Sequence, residues 1–304
     1  MKILYLAVHR HKGWGAEHWL SRAFERADCS VYRYDYRQKR RQLLPWWYIK
    51  RELSVINAQF KPDIVLLQRA EKMPPGVVEH FSAPVVFWST EQLVRRRDVD
   101  QLLQANKLFG WVYVHTYTCL DYVQRHFKDL LPDVSVMHNA TGVETLIDND
   151  DRPRIAIFNR NVSARRREWL DACGDLVEVI EGRFGDGYFE DLRQSKIALN
   201  IHFSGESLDD FETGIYEALA SGCAVITERL NSRTVEDLNM QNAVLQVDTP
   251  EQMRDAIKQL LANPDQLSKL VENGREAIKN NLWDARAEQM LSKFTELLVQ
   301  PSAR

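Results

Sequence analysis

Short apolar runs rich in valine, isoleucine and aromatic residues recur along the whole chain, and segments of helical period separate them. In the first half the runs are KILYLAV (2–8), SVYRYDY (30–36), DIVLLQ (63–68), PVVFWS (84–89), WVYVHT (111–116) and VSVMH (134–138). Amphipathic stretches such as AEHWLSRAFERA (16–27) and WWYIKRELSVINAQF (46–60) lie between them. Strand–helix alternation at this spacing predicts βαβ units and parallel sheets covered by helices on both faces. A polar stretch, NATGVETLIDNDDRPR (139–154), then interrupts the pattern with the residues of an interdomain connection.

The pattern restarts with RIAIFN (154–159), VEVIEG (177–182), KIALNIHF (196–203), CAVITE (223–228) and AVLQVD (243–248), and three longer helical segments close the chain. The 304 residues exceed what one ordinary core organises. The expected architecture is α/β: two Rossmann-like domains, 1–140 and 141–304, with parallel sheets facing across a cleft and the final helix free to pack back on the first domain.

Composition changes this picture little. The four cysteines (Cys29, Cys119, Cys173, Cys223) stand far apart, with no metal-ligand spacing, and read as buried thiols of a reducing compartment. No stretch approaches the roughly 20 apolar residues of a membrane-spanning helix. The opening MKILYLAVHRHKGWG meets charge too soon for a secretory signal. The expectation is a cytoplasmic protein. Charge is divided unevenly: residues 1–140 hold 21 Lys/Arg against 14 Asp/Glu, and the remainder 19 against 29. A basic half of this kind suits an anionic partner.

The densest chemistry lies in SKIALNIHFSGESLDDFETGIYEALASGCAVITERL (195–230). It reads as a buried strand, a polar loop, a short helix opening at Glu212, Thr213 and Gly214, and a second buried strand. Ligands of open α/β sheets bind beyond the carboxyl ends of the strands. A helix N-terminus there offers free N–H groups to a diphosphate, and Gly214 would let it approach the backbone. Glu217, one turn further on, is placed to accept both hydroxyls of a ribose.

This stretch resembles the donor-site signature of the family 4-like glycosyltransferases, in particular the CgeB-like (spore maturation protein-like) branch. The matching residues are Ser195 to Asn200, Phe211-Glu212, Glu217-Ala218-Leu219-Ala220-Ser221-Gly222 and Ala224-Val225-Ile226-Thr227. Asn273-Gly274-Arg275 and Trp283-Asp284-Ala285-Arg286-Ala287 resemble the closing helices of that family. The resemblance implies a GT-B fold, a nucleotide-diphosphate sugar held by the C-terminal domain, and Glu217 as the ribose-binding glutamate. It also implies an acidic residue eight positions earlier, here Asp209, against the donor sugar, with Asp210 and Glu212 as competing candidates.

The remaining candidates follow from strand ends. Arg160 and Arg165, in Asn159-Arg160-Asn161-Val162-Ser163-Ala164-Arg165, supply cations for the diphosphate, with Ser163 as a helix N-cap. No metal-ligand constellation accompanies them, so neither metal nor cofactor is expected. The resemblance also implies that the first loop, with Gly13 and Gly15, lies over the donor phosphates or the acceptor. Glu91 and His115, at two strand ends of the first domain, are candidate general bases for an acceptor hydroxyl. Residues 37–51 combine basic side chains with Trp46 and Trp47, which suits an anionic membrane surface, a lipid-linked acceptor or a glycan. Nucleic acid is disfavoured, since the basic clusters fit no common reading motif. The sequence thus points to sugar transfer from a nucleotide sugar. A nucleotide-sugar epimerase and a non-catalytic nucleotide- or glycan-binding module remain as alternatives.

Overall fold

The computed structural model describes residues 1–9, 13–93, 99–128, 133–146, 152–203 and 212–299. The chain forms two compact units, Met1–Asn139 with Trp283–Arg304, and Ala140–Leu282.

The first unit is built on a six-stranded parallel sheet of β1 (Lys2–Ala7), β2 (Ser30–Asp35), β3 (Ile64–Gln68), β4 (Val85–Ser89), β5 (Trp111–Val114) and β6 (Val134–Val136), ordered β2-β1-β3-β4-β5-β6. All of β3 and β4 and the last five residues of β1 are buried, as unbroken apolar runs in a doubly covered sheet require. The edge strand β2 is buried mainly at Tyr34 and carries exposed polar residues. The chain runs outward from β1 to β2 and then crosses back to β3. The order therefore reverses between β1 and β3, the kind of position where open α/β sheets bind ligands.

Its helices are α1 (Ala16–Arg26), α2 (Tyr36–Arg41), α3 (Trp46–Phe60), α4 (Asp100–Gln104), α5 (Tyr117–His126) and the closing α12 (Trp283–Val299). The last packs on α1 through Phe24 and Phe294, whose rings lie 6.1 Å apart. Arg26 clamps Asp284 with two bonds of 2.7 and 2.8 Å. Trp283 is wholly buried, edge-on to Trp88. The basic segment 37–51 is not one continuous helix. Leu43 takes φ +61 and Pro45 precedes α3, so the chain turns between α2 and α3.

The second unit holds β7 (Arg154–Phe158), β8 (Val177–Val179), β9 (Ser195–Asn200), β10 (Ala224–Glu228) and β11 (Val244–Val247), all parallel, in the order β11-β10-β9-β7-β8. Its helices are α6 (Ala164–Cys173), α7 (Asp186–Arg193), α8 (Thr213–Ala220), α9 (Ser232–Asp237), α10 (Pro250–Ala262) and α11 (Pro264–Lys279). Here the order reverses between β7 and β9. Side-chain caps fix the helix starts: Ser163 accepts from Arg166 N, Thr249 from Gln252 N and Asn263 from Gln266 N. Proline follows Thr249 and Asn263 at the first helical position, where no N–H is needed. Gly274 lets α11 press against α8, since a Cβ there would stand 2.7 Å from Leu219 Cδ2. All four cysteines are buried thiols, none of them in a disulfide. Among the described residues no helix is long and apolar enough to cross a membrane.

Candidate functional site

In the second unit the residues just after β7 meet those just after β9, Ile201 to Phe203, at the reversal of strand order. Arg160, two residues past β7, reaches the first turn of α8. Its Nη2 donates to Glu217 Oε2 at 2.8 Å and to the Tyr188 hydroxyl at 3.0 Å. Tyr188, from α7, donates to the same Glu217 oxygen at 2.8 Å. Its ring lies beneath the guanidinium, 5.2 Å from centroid to Cζ. Burial alone would lower the Arg160 pKa, but Tyr188, Glu217 and Glu212 outweigh it and raise the value. Burial likewise pushes the Tyr188 hydroxyl well above its ordinary range.

Gly214 serves this arrangement directly. A Cβ at that position would fall 2.8 Å from Arg160 Nε and closer still to Nη2. The missing side chain thus makes room for the arginine over the helix N-terminus. Asn159, Arg160, Tyr188, Asn200, Gly214 and Ile215 line one small recess.

The arginines of α6 are engaged differently. Arg165 forms a two-pronged pair with the buried Glu228 and donates to His202 O at 3.0 Å. Arg166 is only 3% exposed. It donates to Ile201 O at 2.7 Å, Asn161 O at 2.9 Å and Glu212 Oε1 at 2.8 Å. Burial lowers its pKa from the ordinary value. Two arginines in the first turn of a helix oppose its dipole, and here Glu228 and Glu212 offset that conflict. Glu212 is the residue before α8, so Arg166 ties the start of that helix to the end of β9. Asp209 and Asp210 lie outside the described residues. Among the described residues no three His, Cys, Asp or Glu side chains come together as metal ligands would.

The first unit places its candidates around the carboxyl ends of β1, β3, β4 and β5. Gly13 and Gly15 both take positive φ, +84 and +126, in the loop before α1. Trp14 between them packs edge-on to Trp19. Glu91 pairs with Arg69, whose guanidinium also contacts Glu71 at 2.9 Å. Arg69, Ala70 and Lys72 all adopt positive φ, a concentration of backbone strain beside this network. His115, past β5, is buried with Nδ1 3.9 Å from Cys119 Sγ.

Residues 143–292 match the family described as Glycosyl transferase-like. That match is to the family at large and does not separate out the spore maturation protein-like branch. No curated protein matches the chain in sequence. Among solved structures, Anabaena Alr3699/HepE in complex with UDP-glucose is similar, with a TM-score of 0.72 at 12% identity over 97% of this chain and 100% of that one. Sucrose-phosphate synthase from Thermosynechococcus elongatus gives 0.69 at 13% identity over 97% and 98%. A glycosyltransferase from Rickettsia africae gives 0.64 at 12% over 99% of each chain.

The fold is GT-B.

Within this GT-B chain the family match falls mostly on the second unit, which carries Arg160, Tyr188, Gly214 and Glu217. Tyr188, Arg166 and Glu228 were not legible as site residues in the sequence. Tyr188 reads locally as one more core aromatic of an amphipathic helix. Arg166 is one of three consecutive arginines, and only the fold distinguishes the buried one. Glu228 ends an apolar strand, and a charge closing a buried run is the one signal that could have marked it.

Proposed function

We propose that this chain transfers a sugar from a nucleotide-diphosphate sugar to a hydroxyl of a glycan or lipid-linked acceptor, with the donor held by the second unit and without a metal ion. The observation that carries this reading is the Arg160–Tyr188–Glu217 cluster over the start of α8, at the reversal between β7 and β9. Arg160 and the α8 N–H groups supply the positive charge that a departing diphosphate needs. Glu217 supplies an acceptor oxygen pair for a ribose, and Phe184, 74% exposed in the loop after β8, offers a ring for the base. Arg165 is the second diphosphate candidate if its pairing with Glu228 opens. Asp209 keeps its assignment against the donor sugar on the resemblance alone.

The test is thermal-shift screening against UDP, GDP, dTDP, CMP and ADP, with Glu217→Ala alongside. A shift with one nucleotide that the variant loses supports the donor site; no shift with any of them counts against it. Incubation with the matching nucleotide sugar then separates the alternatives. Release of nucleoside diphosphate supports transfer. An isomerised sugar on an intact nucleotide supports an epimerase, and binding without turnover a non-catalytic module. Turnover that EDTA abolishes would contradict the metal-free mechanism.

On the acceptor side the reading is a membrane-borne acceptor. Leu43, at the turn between α2 and α3, is 88% exposed and Trp47, in the first turn of α3, 66%, with exposed Arg40, Arg41 and Arg51 beside them in the chain. An apolar tip ringed by cations suits the interface of an anionic bilayer. Sedimentation with phosphatidylglycerol vesicles, lost with phosphatidylcholine alone and weakened in Leu43→Ser/Trp47→Ser, would support it. Equal recovery with both vesicles would end it.

A further inference from the structure

The Arg160–Tyr188–Glu217 cluster lies on the carboxyl-end side of the second sheet. The opposite edge of the same unit carries a cavity of its own. It opens between the amino ends of β7, β9 and β10 and one face of α11, with a volume of about 500 Å³. Its cations are Arg152, two residues before β7, Lys196 at the start of β9, and Arg275 of α11. A cavity of this size holds a metabolite rather than a lone ion.

Gly222, at the turn between α8 and β10, is the focus of the cavity. It takes φ +76, a conformation that favours glycine. A Cβ there would stand 2.6 Å from Arg152 Nη2 and 3.0 Å from Arg275 Nη2. Two guanidiniums from different elements therefore converge on one point. Main-chain carbonyls fix the first of them: Arg152 Nη1 donates to Ser195 O at 2.9 Å, and Nη2 to Ser221 O at 2.8 Å. The second belongs to Asn273-Gly274-Arg275, a run that the donor reading leaves unused. Lys196 adds an exposed ammonium.

One cation at this place has an ordinary reason. Gly222 follows the end of α8, and a helix C-terminus carries about half a negative charge. Arg152, bonded to Ser221 O, answers that charge alone. Among the side chains that line the cavity, however, three cations face a single carboxylate, Glu272. The positive charge on these walls exceeds what Glu272 and the helix end offset together. Like charges that converge on one point repel, and an anion between them removes the repulsion. Paired guanidiniums suit phosphate in particular, because its oxygens accept parallel N–H donors.

We propose that this cavity binds a phosphorylated sugar, at a site separate from the donor cluster. The phosphate lies against Gly222, between Arg152 and Arg275, with Lys196 as the third cation. Leu267 and Val271 offer an apolar wall to the sugar ring, and Ser268 and Glu272 offer hydrogen-bonding partners to its hydroxyls. Every residue of the site belongs to the second unit, and none is shared with the Arg160–Tyr188–Glu217 cluster. The site therefore stands or falls independently of the glycosyltransferase reading.

The experiment is calorimetric titration of the full chain with fructose 6-phosphate, ribose 5-phosphate, inorganic phosphate and unphosphorylated fructose. Wild type, Arg275→Gln, Lys196→Gln, the double variant and Arg160→Gln are compared, each first shown by thermal unfolding to be folded. Both cavity substitutions leave the carbonyl contacts of Arg152 in place. The proposal expects at least one sugar phosphate to bind with a Kd of about 1 mM or below, more tightly than phosphate, and fructose not to bind. Affinity should fall about tenfold in each single variant, vanish in the double variant and persist in Arg160→Gln. Absence of binding by the wild type up to about 10 mM overturns the site. Binding that the double variant keeps and Arg160→Gln loses places the ligand in the donor cluster, and overturns it equally. Phosphate bound as tightly as either sugar phosphate overturns the assignment of the ligand as a sugar.

Discussion

The Arg160 guanidinium lies over Gly214, at the distance where a Cβ on residue 214 would meet Nε at 2.8 Å. The two residues are far apart in sequence, yet the absence of a side chain at one fixes the position of the other, and through it the ion pair with Glu217.

Gly214→Ala isolates this relationship. Alanine in a helix is favoured over glycine by about 1 kcal/mol, and the clash falls on the far end of a flexible arginine. The fold should therefore tolerate the change, with a urea midpoint close to wild type. Arg160 must move, however, and loses its bonds to Glu217 and Tyr188. Nucleotide affinity should fall about tenfold, about 1.4 kcal/mol. Calorimetry beside urea denaturation checks both halves. A large stability loss with unchanged affinity would mean that Gly214 serves packing alone.

Arg166 calls for the opposite outcome. Its three acceptors, Ile201 O, Asn161 O and Glu212 Oε1, hold the ends of β7 and β9 to the start of α8. Arg166→Leu leaves a carboxylate and two carbonyls without their donor, and should cost about 3 kcal/mol in urea denaturation. Arg166→Lys presents a single ammonium to three divergent acceptors and should recover less than half of that.

The contrast between these arginines shows what the sequence can and cannot carry. Every apolar run expected as a strand forms one; for the central strands the reason is that burial on both faces of a parallel sheet demands a continuous apolar run. The helix start near Glu212–Gly214 was equally legible, since a polar loop precedes an apolar helix there. Partner choice was not. Arg160, Arg165 and Arg166 look alike as side chains within six residues, while the fold sends them to Glu217, Glu228 and Glu212 in turn. Those partners lie 46 to 63 residues away, and only the strand order brings them near. Glu17, whose carboxylate folds back over Gly15, was invisible for another reason. An acidic residue in a first helical turn is ordinary, and only burial over Gly15 makes it unusual.

Leu43 offers a test in which stability and surface function diverge. A branched apolar residue at φ +61 carries about 1 kcal/mol of strain, and at 88% exposure its side chain returns almost nothing to this fold. Asparagine accepts the left-handed conformation far better. Leu43→Asn should raise unfolding stability by about 0.5–1 kcal/mol while reducing sedimentation with anionic vesicles. A loss of stability would show that Leu43 packs on something in the folded chain.

The Glu17 carboxyl, in the first turn of α1, links stability to pH because burial raises its pKa. Its folded pKa of about 7 stands above the ordinary 4.5, so the native state holds a proton that the unfolded chain releases. Below about pH 4.5 both states are protonated and the group contributes nothing. As pH rises towards 7 the unfolded chain ionises first, and stability falls. Above 7 the loss levels off at up to about 3 kcal/mol, since each tenfold change in acidity between the two states is worth about 1.4 kcal/mol. Glu17→Gln carries no such penalty. Urea denaturation of both proteins at pH 5, 6, 7 and 8 should show the variant gaining on wild type by up to that amount between pH 5 and 7, and little further beyond. A constant difference across the series would mean that Glu17 titrates alike in both states.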